Sequence, residues 1–84
     1  MRRKTRQYLP ALLWHLQRRG DGREAVVAVR TRDVCGVDRR CSMAVHSLMM
    51  RLVEEGLARR YKRGTYLIEK RAMEEVLTAL KRWI

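Results

Sequence analysis

The chain has 84 residues, enough for one small domain and too few for two. Its 20 Lys and Arg outweigh 9 Asp and Glu, and the resulting net charge of +11 repels itself unless a polyanion compensates it. Nucleic acid is the first such partner and an anionic membrane surface the second; no apolar run approaches the ~18 residues of a membrane span, which weakens the second.

Residues 1–7 open with MRRKTR, four cations without packing residues, and read as a flexible basic arm. No clean signal-peptide core follows it, so a soluble, cytoplasmic protein is expected. From Tyr8 the pattern changes: Tyr8, Leu9, Leu12, Leu13 and Leu16 recur at helical spacing. Pro10 is tolerated only in a first turn, which starts the helix near Leu9, and Gly20 ends it behind Arg18 and Arg19. Gly20, Asp21 and Gly22 form a turn, and AVVAV (25–29) is a short β-branched strand. Thr31 stands where a helix N-cap is expected, with Asp33 in the first turn, and Gly36 stops that short helix.

Asp38 is a second N-cap candidate, and the helix after it runs from Arg39 to Glu55, closed by Gly56. Cys41, Val45, Leu48, Met49 and Leu52 form its apolar stripe. Residues 57–69 then read as a hairpin, LARRYK and TYLIE, with Arg63 and Gly64 at its tip. A last helix, 71–84, carries Met73, Val76, Leu77, Leu80 and Trp83 on one face, with Glu74 and Glu75 early and Lys81 and Arg82 late, as its dipole favours.

Cys35 and Cys41 stand six apart, neither a CxxC pair nor part of a four-ligand zinc framework. They read as two small core residues, with a short disulfide between neighbouring helices as the alternative. His15 and His46 have no clustered carboxylates, so no metal or cofactor is expected. Trp14, Trp83, Tyr61 and Tyr66 read as packing or interface anchors. A glycine-rich phosphate loop, a nucleophile beside a base and paired carboxylates are all missing, which excludes the common enzyme classes.

Short helix, glycine turn, longer helix and basic hairpin resemble the winged helix-turn-helix proteins, most closely at VHSLMMRLVEEGLARRY, residues 45–61. That stretch is similar to the pattern in small prokaryotic regulators of the multiple-antibiotic-resistance type. With the extra C-terminal helix 71–84 the expected domain covers 8–84; the resemblance itself spans about residues 8–69 and implies an α+β, mostly helical fold. It implies double-stranded DNA as partner, with helix 39–55 in the major groove and wing 57–69 on the backbone or minor groove. The residues implied to meet DNA are Arg39, Arg40, Ser42, Met43, His46, Ser47 and Met50 on the helix. Arg59, Arg60, Lys62 and Arg63 join them from the wing, and Arg2, Arg3 and Lys4 from the arm. Arginine can bridge guanine O6 and N7, serine can reach phosphate or base, and methionine can meet a thymine methyl. This face departs from the family in lacking Gln and Asn.

A minimal transcriptional regulator or nucleoid-associated architectural factor follows from that resemblance. An RNA-binding or ribosome-associated module is the alternative at this charge. The apolar faces of the first and last helices predict a homodimer paired through the terminal helices, with the last helix covering the back of the hairpin as the alternative.

Overall fold

Three antiparallel strands and five helices make up the computed structural model, which describes residues 1–84. In chain order they are α1 (Arg3–Arg6), α2 (Leu9–Arg19), β1 (Val26–Arg30), α3 (Thr31–Cys35), α4 (Arg39–Glu54), β2 (Arg59–Lys62), β3 (Thr65–Glu69) and α5 (Met73–Trp83). A single 3-10 turn, Lys70–Ala72, leads into α5. The arrangement is mostly helical α+β, with a helix-turn-helix-like pair α3–α4, a small hairpin and an additional C-terminal helix. No helix is long and apolar enough to cross a membrane.

Punctuating residues place the helices. Pro10 sits in the first turn of α2, where its missing N–H breaks no bond. The Asp38 carboxylate accepts from the Cys41 N–H at 3.0 Å and caps α4. At the far end of α4, Gly56 adopts φ 78°, the left-handed region open to glycine without Cβ strain. Its N–H donates to the Val53 carbonyl and that of Leu57 to the Leu52 carbonyl, at 3.0 and 2.9 Å, so the helix closes and the chain turns at once into the hairpin.

The sheet has the order β1-β3-β2, so β3 is central. Val26–Arg30 pairs along all of β3, one residue later than the strand expected at 25–29. Thr31 does not cap α3. The chain enters that helix directly from β1, and the Thr31 N–H donates to the Gly64 carbonyl at the hairpin turn, 3.0 Å away. That bond satisfies one of the helix's unpaired donors and ties the hairpin tip to the start of α3.

Leu9, Leu12 and Leu16 of α2 pack with Met73, Val76 and Leu80 of α5, Val45, Leu48, Met49 and Leu52 of α4, and Val27, Val29, Tyr66 and Ile68 of the sheet in one core. The apolar stripes of the two terminal helices thus meet within one chain, α2 against α5. Leu9, Leu12, Leu16, Val76 and Leu80 are fully buried there, while Trp14 on α2 and Ile84 at the end of α5 stay exposed.

Other expectations also change. Cys35 and Cys41 are bonded to each other as a disulfide, not two free core thiols, because the tight α3–α4 turn brings their Cα atoms to 5.5 Å. Trp14 is 59% exposed, its ring covered only by the Arg18 guanidinium at 4.6 Å. The segment read as an arm contains the helical turn α1, and half-buried Tyr8 at its end packs against the core.

His15, on α2, has a buried Nε2 without a hydrogen-bond partner. Burial, and then the positive charge of Arg19, hold its pKa below the ordinary 6.5, with Asp33 opposing and Arg18 adding to the effect. Protonation therefore favours the unfolded chain. Stability should be full above pH 6.5 and should fall as pH drops from there through the lower folded value. Thermal melts between about pH 7.5 and 5.5 should show a falling midpoint that His15→Gln flattens. Identical slopes in both proteins would remove His15 as the cause.

Candidate nucleic-acid interface

The Asp and Glu residues are confined to positions 21, 24, 33, 38, 54, 55, 69, 74 and 75. Residues 1–20, 39–53 and 56–68 contain none, so α1, α2, nearly all of α4 and most of the hairpin carry cations without interspersed acids. Only Arg19 and Arg71 form ion pairs, with Glu24 at 3.3 Å and Glu69 at 2.6 Å. The remaining Lys and Arg have no carboxylate within salt-bridge reach.

Helix α4 is held at both ends and in the middle. At its start Cys41 is fixed twice, through its N–H by Asp38 and through its sulfur by Cys35. Midway, His46 Nδ1 and the Tyr66 hydroxyl are hydrogen-bonded, and their rings lie 5.8 Å apart. Burial pushes the Tyr66 phenol above its ordinary pKa, with Arg60 opposing, so the hydroxyl stays protonated. His46 thus has a structural partner on β3 besides any role on the surface.

The α4 residues singled out in the sequence separate into two groups. Arg39, Arg40, Met43 and Ser47 are exposed, Met43 to 66%. Ser42, His46 and Met50 are half-buried, and Met50 packs against the core. The helix stripe continues instead to Arg51, which the sequence reading missed. Arg40, Met43, Ser47 and Arg51 follow the spacing i, i+3, i+7, i+11, and that period is the signal that finds it. The Arg51 guanidinium stacks over half-buried Trp83 at 4.7 Å, which orients it from α5.

The same stripe faces α1. A cleft of about 570 Å³ lies between them, lined from the chain start by Arg2, Lys4, Thr5 and Tyr8 and from α4 by Arg40, Met43, Ser47 and Arg51. Two arm cations are thereby brought beside the exposed face of α4; Arg3 is exposed but does not line the cleft. Four cations and no acid line it.

The hairpin presents a second cationic surface. Every residue of β2 is exposed, and Arg63 at the turn is exposed too. Gly64 takes φ 79° to close the two-residue turn. Tyr61, expected to pack, is 65% exposed, while Tyr66 opposite Arg60 is fully buried. No family model matches the chain, and no curated protein or solved structure is significantly similar to it.

Since Cys41 anchors the start of α4, its bond to Cys35 should stabilise the fold. For so short a loop the gain is about 2 kcal/mol, or roughly 10 °C in melting temperature for a domain of this size. Melting with and without a dithiol reductant, beside a Cys35→Ser/Cys41→Ser variant, measures it. The reduced protein and the variant should fall together; a midpoint indifferent to reductant would mean that the thiols are unpaired in solution.

Proposed function

We propose that this chain is a winged helix-turn-helix protein that binds double-stranded DNA and acts as a minimal transcriptional regulator or architectural factor. One observation carries the reading. Helix α4, second of a helix-turn-helix-like pair, exposes Arg39, Arg40, Met43 and Ser47, and passes through the Gly56 turn into a hairpin that exposes Arg59, Arg60, Lys62 and Arg63. A helix fits the major groove, where arginine can read guanine, and a cationic hairpin fits the adjoining phosphates.

In this reading α4 enters the groove, the hairpin serves as the wing, and Arg2 and Lys4 extend the phosphate contacts from α1. The α3–α4 disulfide and the Asp38 cap hold the entering end of α4 in place, which limits the ordering entropy lost on binding. The protein works as a binding module and not as an enzyme. Its place is with DNA in the nucleoid, and no cofactor is needed.

Affinity for duplex DNA should fall steeply with salt. An α1, α4 and wing surface meeting about 5–8 phosphates gives a log–log slope of roughly −4 to −7. Fluorescence anisotropy across a salt series reads it directly, and a flat dependence would end the DNA reading. A duplex RNA of equal length belongs in the same series, since tighter binding there would transfer the function to RNA.

Wing and helix variants should differ in kind. Lys62→Ala with Arg63→Ala should weaken all sequences about equally, because phosphate contacts carry no sequence information. Arg40→Ala should change the ranking among sequences, with about 1–3 kcal/mol lost where a guanine was read. Selection of bound fragments from random duplexes, repeated for each variant, separates the two. Equal and sequence-blind losses from both would assign the protein an architectural role.

A further inference from the structure

Tyr61 and Tyr66 lie on neighbouring strands and have opposite surroundings. Tyr66 is fully buried, whereas Tyr61 is 65% exposed and takes no part in the core. The pairing of β2 with β3 matches Arg60 to Tyr66 and Lys62 to Thr65, which leaves Tyr61 without a partner at a register shift. Such a bulge re-aims the side chain that it carries. The ring's one cationic neighbour is the Lys62 ammonium, 5.8 Å from its centre, and no other aromatic ring stacks on it.

An aromatic ring in this position needs a reason. β2 is an edge strand, and a bare aromatic there favours unwanted pairing between chains. Arg59, Arg60, Lys62 and Arg63 already guard that edge by charge, and Tyr61 adds nothing to the guard. Nor does a closed duplex suit the ring. Its bases are stacked on one another and offer only their edges in the grooves, and a phosphate can accept from the hydroxyl but has no face for the ring to cover. An unpaired base has such a face, and a ring set among cations that track the backbone is the general means of holding one.

We propose that Tyr61 is a stacking platform for an unpaired nucleobase, so that the wing binds DNA where a duplex passes into single strand. The inference rests on the proposed DNA-binding function and adds to it a preferred substrate. The flanking cations hold the single strand's phosphates while the exposed ring face takes a base. Lys62, beside the ring, contributes its charge to the same strand. Because every base has a π face, the contact is indifferent to sequence.

The test compares three DNA probes sharing one duplex: blunt, with a short single-stranded extension, and with an abasic extension of the same length and charge. Blunt-duplex binding is measured first. Its absence overturns the proposed function, and a Tyr61-dependent affinity for the extension alone would then leave this inference standing by itself. With blunt binding present, the base-bearing extension should strengthen binding on the order of tenfold, and the abasic one should add only its charge. Tyr61→Phe should keep the difference between the two extended probes, and Tyr61→Ala and Tyr61→Leu should abolish it. A 2-aminopurine in the extension should change in fluorescence on binding wild type and not on binding Tyr61→Leu. Equal affinity for base-bearing and abasic extensions overturns the inference, as does loss of the difference in Tyr61→Phe, which would make the contact a hydroxyl hydrogen bond. Circular dichroism of each variant confirms that the exposed substitution leaves the fold unchanged.

Discussion

The seating of α4 on the sheet is the contact on which everything outward-facing depends, and Tyr66 is its joint. The ring lies in the core, and its hydroxyl reaches His46 in the middle of α4. Because β3 is the central strand, the same residue ties the helix to β1 on one side and to the hairpin's outer strand on the other. A buried hydroxyl left without a partner costs about 1–3 kcal/mol, a large share of the stability available to a domain this small. The pairing thus does more than add one hydrogen bond. Together with the core contacts of Val45, Leu48, Met49 and Leu52 it fixes the rotation of α4, and hence which residues the core hides and which meet solvent.

From that rotation follows the division of labour along α4. Cys41, Val45, Leu48, Met49 and Leu52 are turned inward, and Arg40, Met43, Ser47 and Arg51 are turned toward α1 and solvent. Self-repulsion among the cations would ordinarily loosen so small a fold. Here the counterweights are local: the disulfide and the Asp38 cap at one end of α4, the Gly56 closure at the other, and Arg–Trp stacking in place of ion pairs at Trp14 and Trp83. In the proposed function a bound polyanion removes the repulsion that the chain itself leaves unanswered.

Much of this architecture was legible in the chain because its boundaries are set by residues with strong local rules. Pro10, Asp38, Gly56 and Gly64 each act within a turn or two of backbone, and the elements they bound lie where their chemistry places them. The departures have a common cause: they depend on contacts across the fold. Thr31 looks like a cap until a hairpin carbonyl satisfies its N–H. Cys35 and Cys41 look like core residues until the α3–α4 turn brings them together. Trp14 and Tyr61 look like anchors, since large aromatics usually are, and only tertiary placement leaves them outside. Arg51 escaped notice because Met50 fits the same general face of the helix by spacing, and the actual rotation of α4 favours its neighbour.

The central claim is that α4 and the hairpin together form the surface that meets DNA. Amide chemical-shift mapping of the ¹⁵N-labelled protein, titrated with a short duplex at low salt, tests it most directly. Large shifts are expected at Arg39–Ser47 and Arg59–Gly64, smaller ones at Arg2–Thr5, and little change along α5. Shifts concentrated on α5 or around Trp14, or none at saturating duplex, would contradict it.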